Sequence, residues 1–104
     1  MLSATFLHKD DILCGFDLNG HCGGEAGRDI LCAAVSSAAY MTANTLTDVC
    51  NLAASISEQD GHLRVCLSEA ETKQGQKILQ GFYLHMQQLR EQFPEKIALN
   101  DTEV

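Results

Sequence analysis

Leu2-Ser3-Ala4-Thr5-Phe6-Leu7-His8-Lys9-Asp10-Asp11-Ile12-Leu13-Cys14-Gly15-Phe16-Asp17-Leu18-Asn19 is the segment on which the architecture turns. Leu2, Ala4, Phe6 and His8 alternate with their neighbours, as do Ile12, Cys14, Phe16 and Leu18. Alternation with period two places one row of side chains toward a core and the other toward solvent, which is the signature of a half-buried strand. Between the two rows, Lys9-Asp10-Asp11 has the polarity of a hairpin turn. The reading is two antiparallel strands, the second ending at Asn19-Gly20.

Downstream the pattern changes. Gly20-His21-Cys22-Gly23-Gly24-Glu25-Ala26-Gly27-Arg28 is a glycine-rich loop, and Asp29 after it has the residue type of a helix N-cap, its carboxylate accepting a backbone N–H. Ile30, Leu31 and Cys32 then occupy the first three helical positions. A helix is expected from residue 29 to about residue 51, with Leu31, Val35, Ala38, Leu46 and Val49 near one face and many alanines that let it lie close on a sheet. Residues 53–57 and 63–67 flank Asp60-Gly61, a hairpin dipeptide, and predict a second strand pair. Ser68 and Glu71 read as a capping box, followed by the stripe Ile78, Phe82, Met86, Leu89 and Phe93 until Pro94 stops the helix. Residues 96–100 supply an edge strand through Ile97 and Leu99, and residues 101–104 read as a loose acidic tail.

This order of elements predicts a small two-layer α/β (α+β) domain: a mixed or antiparallel sheet with two long helices packed on one face. At 104 residues and 45% hydrophobic content, the chain is expected to be a single domain, residues 1–104. An exposed strand edge or the uncovered sheet face is a place for a second copy, so a homodimer is expected.

Charge and cysteine usage narrow the function. Seven Lys and Arg against fourteen Asp and Glu give a formal charge of −7, and the basic residues are scattered, which argues against direct nucleic-acid binding. The same acidity attracts a basic protein partner. Five cysteines, Cys14, Cys22, Cys32, Cys50 and Cys66, are an odd number without the spacing of a disulfide scaffold, and no secretory segment opens the chain. The expected location is the cytoplasm. No apolar run approaches membrane-spanning length, so no membrane partner is expected.

The chemistry lies between His21 and Ser36. Cysteine attacks as thiolate, which the first turn of a helix and a neighbouring imidazole both favour, so Cys32 reads as a nucleophile and His21, at a strand end, as its base. Asp29 either orients His21 or serves as the helix cap. Ser36, one turn after Cys32, either hydrogen-bonds a site group or back-bonds the helix carbonyl. Gly23, Gly24 and Gly27 read as a flexible loop flanking the site. Cys22 is a bystander or an oxidation partner of Cys32, while Cys14, Cys50 and Cys66 read as packing residues and His8, His62 and His85 as surface or strand-end histidines.

The run Gly20-His21, the glycine loop, then Gly27-Arg28-Asp29-Ile30-Leu31-Cys32-Ala33-Ala34-Val35-Ser36 resembles the signature of the ribosomal-processing cysteine proteases, the bacterial Prp family, and the likeness extends over nearly the whole chain. The loop is one residue shorter than the family pattern, and Cys22 stands where a small alanine is usual. The resemblance implies a Cys–His dyad of Cys32 and His21, with Asp29 and Ser36 in support and no cofactor. It implies peptide-bond hydrolysis that removes the N-terminal extension of large-subunit ribosomal protein twenty-seven, whose N-terminal peptide would be the partner.

Rival readings remain in view. His21, Cys22 and Cys32 make a poor tetrahedral metal set, so no metal is expected. The loop from Gly23 to Arg28 before a helix N-terminus would suit an anion-binding loop protein, but the P-loop lysine and hydroxyl pair is missing. A non-enzymatic ribosome-assembly partner that binds a basic ribosomal protein is the third reading.

Overall fold

The computed structural model describes residues 1–20 and 30–104. The opening alternation folds into an antiparallel hairpin of β1 (Leu2–Lys9) and β2 (Ile12–Asn19). Its turn is Asp10-Asp11, with φ of 53° and 65°. Two consecutive positive φ values belong to the type I′ turn, and aspartate accepts them more readily than bulky residues do. Alternation breaks once: Leu7 pairs with Gly15 and His8 with Leu13, leaving Cys14 as an extra residue in a bulge. The bulge puts Leu13 into the core with Phe16 and Leu18, where strict alternation placed Cys14.

After α1 (Ile30–Asn44) come β3 (Ala54–Gln59) and β4 (His62–Leu67), then α2 (Thr72–Gln92) and β5 (Ile97–Glu103). The five strands form one sheet in the order β3-β4-β2-β1-β5, antiparallel except for the β1–β5 pair. This pairing makes β2 parallel to β3 and β4 parallel to β5, so each long helix is a crossover between parallel strands. The β2-α1-β3 and β4-α2-β5 units run in opposite strand directions and cross the sheet in opposite senses. A shared right-handed crossover therefore places both helices on the same face. The expected two-layer α+β architecture is the observed one.

The core lies between that face and the helices. Phe6, Phe16, Leu18, Leu63 and Val65 rise from the sheet to meet Leu31, Val35 and Ala39 of α1 and Leu79, Phe82 and Met86 of α2. The Phe82 ring sits 4.6 Å from that of Phe16 and 5.9 Å from that of Phe6, while Tyr83 packs edge-on against Phe6 at 4.4 Å. Such pairs add about 0.5–1.5 kcal/mol each beyond the area they bury.

Four local expectations are corrected. The first helix does not run as regular α-helix to residue 51: Thr45–Val49 is a π-helical turn in which Cys50 N–H donates to Thr45 O at 2.9 Å. The wider turn changes the phase, so Leu46 is buried while Val49 is 72% exposed. The Ser68 side chain makes no capping hydrogen bond. Instead its backbone carbonyl accepts from Glu71 N–H at 2.9 Å, and a 3₁₀ turn, Glu69–Glu71, leads into α2. Phe93 falls beyond the end of α2 and is exposed. Residues 101–103 are no tail, because β5 continues through Glu103 in parallel register with β1. Asp101 is tied there by His8 Nε2 at 2.8 Å and by the Tyr83 hydroxyl at 3.2 Å.

Candidate functional site

Cys32 is the third residue of α1 and half-buried. It opens onto a cavity of about 200 Å³ at the end of the sheet where β2 finishes. On this side α1 contributes residues four apart, Cys32, Ser36 and Tyr40, as helical geometry requires for a single stripe. Leu2, Leu18 and Leu63 of the sheet form an apolar floor. Val35 and Ala39 belong to the core as well as the cavity wall, so the stripe that carries the thiol is held by the residues beside it.

Gly20, the residue immediately before His21, lines the same cavity. Its φ is +95°, and a Cβ there would come within 2.6 Å of the Met1 carbonyl, so glycine is required on both counts. Gly20 N–H donates to Gly61 O at 3.0 Å, which fastens the end of β2 to the β3–β4 turn. The described chain thus stops at Gly20 and resumes at Ile30 close to one cavity. His21, Cys22, Gly23, Gly24, Gly27 and Asp29 lie outside the described residues.

The turn also brings in a histidine that the sequence reads only as a surface or strand-end residue. His62, the first residue of β4, lines the cavity, and its Nε2 is 2.8 Å from Asp17 Oδ1. The second carboxylate oxygen of Asp17 accepts from Arg64 Nη1 at 3.1 Å. Asp17 and Arg64 are direct cross-strand partners, with His62 two residues away on the same strand. Period two supplies a signal that His62 and Arg64 share a face, but the β2–β4 register that brings them to Asp17 is a long-range property. Tyr40 also lines the cavity, and its hydroxyl hydrogen-bonds Glu58, which pushes the phenol pKa above its ordinary 10.0.

Ser36 is exposed and faces the cavity. Thr42, Thr45 and Thr47 each donate to the carbonyl four residues back, at 2.7, 2.6 and 3.0 Å. Among the described residues Ser36 makes no such bond, and its hydroxyl remains on the cavity side.

The other described cysteines stand apart from the cavity. Cys14 is 2% exposed, and burial, reinforced by the Cys66 thiol 3.8 Å away, pushes its pKa from 9.0 up to about 11. It therefore stays a thiol at neutral pH. Cys14 packs as expected and Cys66 is half-buried against it, whereas Cys50 is exposed, against the expectation that it packs. Among the described residues no three His, Cys, Asp or Glu side chains are grouped to hold a metal ion. No described helix is long and apolar enough to cross a membrane.

Comparison with known proteins gives this arrangement its context. The chain matches the family described as cysteine protease Prp over residues 1–98. It is 29% identical over 86 residues to the ribosomal processing cysteine protease Prp of Staphylococcus aureus, spanning 80% of this chain and 81% of that protein. The crystal structure of the S. aureus protease with a covalently linked product peptide superposes with a TM-score of 0.89 at 25% identity, covering 98% of this chain and all (100%) of the other. SMU.848 from Streptococcus mutans superposes with a TM-score of 0.77 at 29% identity, over 100% of this chain and 96% of that one.

Proposed function

The chain belongs to the Prp family of cysteine proteases, and from that premise we propose that it removes the N-terminal extension of large-subunit ribosomal protein twenty-seven during ribosome maturation. The observation that carries this reading is the shared cavity. Cys32, in the first turn of α1, and Gly20, the residue that precedes His21, line the same apolar recess.

In the proposed reaction His21 accepts the Cys32 proton as the sulfur attacks the scissile carbonyl, and the resulting imidazolium then protonates the leaving amine. Water hydrolyses the thioester and releases the extension. Asp29 and Ser36 support the dyad, and Gly23, Gly24 and Gly27 lie in the sequence between its two members. The oxyanion is served by backbone N–H groups at the start of α1, which have no intrahelical acceptor. The apolar floor of Leu2, Leu18 and Leu63 suits bulky apolar side chains next to the cut. The net charge of −7 draws in a basic ribosomal protein. All of this is carried by one domain, residues 1–104, acting as a cytoplasmic homodimer without a cofactor, a nucleic-acid contact or a membrane.

Intact-mass analysis of the precursor after incubation with enzyme tests the reading. Wild type should produce one discrete N-terminal loss, and Cys32→Ala and His21→Ala should lower its rate by at least about a thousandfold. A precursor that is bound but never cut would favour the assembly-partner role. Cleavage that survives Cys32→Ala would remove the dyad.

A further inference from the structure

We propose that Cys14 and Cys66 are a redox-modification site, a thiol pair that a low-molecular-weight disulfide oxidises to an internal disulfide tying β2 to β4. Their sulfurs are 3.8 Å apart in the reduced chain. Neither cysteine lines the cavity of Cys32, so the proposal is independent of the protease reading.

Local sequence brings the two thiols together away from the core. Leu63, Val65 and Leu67 of β4 belong to the core cluster, so period two turns Cys66 to the other face of the sheet. Its direct partner on β2 is Gly15, where a Cβ would collide with the Val65 carbonyl. No side chain is therefore admitted at that position. The β1–β2 bulge supplies Cys14 as an extra residue next to Gly15, and its sulfur meets that of Cys66 instead.

Exposure divides the roles. Cys14 is 2% exposed, whereas Cys66 is half-buried, so a dissolved disulfide RSSR reaches Cys66 first. The Cys66 thiolate attacks one sulfur of RSSR, forming a mixed disulfide and releasing RS⁻. The Cys14 thiolate then attacks the Cys66 sulfur, forming the protein S–S bond and releasing the second RS⁻. The two thiol protons end on the released thiolates, so the protein loses two electrons and two protons and RSSR becomes two RSH. Burial is the largest cause of the raised Cys14 pKa, and the charge of Cys66 is the next. Capping Cys66 removes that charge, so the first step favours the second. The product fastens the two strands whose ends, Gly20 and His62, border the cavity, and its ring of residues 14–66 encloses His21, Asp29, Cys32 and Ser36.

Oxidised glutathione is the probe. Folded wild type is incubated with it, remaining thiols are alkylated, and the protein is digested without reductant for peptide mapping. The map should show a cross-linked peptide joining Cys14 to Cys66 that dithiothreitol separates. Cys14→Ser should keep glutathione on Cys66, and Cys66→Ser should leave Cys14 unmodified. The wild-type cross-link itself needs no variant, so the test survives a serine protein that fails to fold. In a chain carrying Cys22→Ala, Cys32→Ala and Cys50→Ala, the oxidised form should melt about 10 °C above the reduced one. A cross-link that forms only in denaturant would overturn the proposal. So would a wild type in which Cys66 keeps its glutathione while Cys14 stays a free thiol, one in which neither thiol reacts, or an oxidised form that melts below the reduced one.

Discussion

The two long helices sit on the same face of the same sheet and are built on opposite plans. α1 is short-sided: Ala39 and Ala43 are buried alongside Leu31 and Val35, and the helix lies close enough to the strands for Cys32 and Ser36 to reach a recess in the sheet end. α2 is long and strongly two-faced, with Leu79, Phe82 and Met86 buried and Lys73, Gln80, Leu84 and Gln88 outside. Two of its residues make tertiary hydrogen bonds. Gln76 donates to Leu13 O, and Tyr83 to Asp101. The helix that bears the proposed nucleophile contributes small residues and leaves polar groups on a cavity, whereas its neighbour supplies bulk to the core. Function and stability are thereby assigned largely to different helices, and changes in one should be separable from changes in the other.

The strongest challenge to that division is Phe82→Ala. Phe82 is 3% exposed and touches both Phe6 and Phe16. Its truncation should cost about 3–5 kcal/mol in denaturant unfolding. At temperatures where the variant is still folded, its Cys32 chemistry should stay near that of wild type. A folded Phe82→Ala protein with no activity would show that the helices are coupled more tightly than this comparison allows.

A finer test lies within α2 itself, where two glycines occupy different surroundings. A Cβ on Gly75 would run into the Leu67 side chain and come within 3.1 Å of Leu46, whereas one on Gly81 would meet nothing within 4 Å. Gly75→Ala should destabilise by about 1–3 kcal/mol through overpacking. Gly81→Ala should stabilise by up to about 1 kcal/mol, the helix-propensity gain of replacing glycine with alanine in open space. Thermal melts of the two variants should therefore move in opposite directions. A shift of the same sign in both would mean that packing around α2 does not control its stability.

Sequence revealed the parts of this division that are local. The β1–β2 hairpin follows from period-two alternation and a two-aspartate turn, and the core stripe of α2 follows from Ile78, Phe82 and Met86 at helical spacing. The position of Cys32 at a helix start was legible because a glycine-rich run and an N-cap residue type precede it in the chain, and the structure adds that it lines a cavity. What escaped depends on partners distant in sequence. The true length of β5 is set by pairing with β1, so Asp101 read as tail although it lies across from Phe6. The π-helical turn at Thr45–Val49, which exposes Val49, has no periodic signature. His62 joined the cavity through a β2–β4 register that no local pattern specifies.

The central claim is that Cys32 carries the acyl group during peptide cleavage, and rapid acid quench followed by intact-mass analysis tests it most directly. Mixing wild type with the ribosomal precursor should give a transient enzyme species heavier by the mass of the excised extension less one water, mapped to Cys32. The species should be absent in Cys32→Ala. An adduct on Cys50 or Cys66, or precursor cleavage that proceeds in Cys32→Ala, would contradict the account.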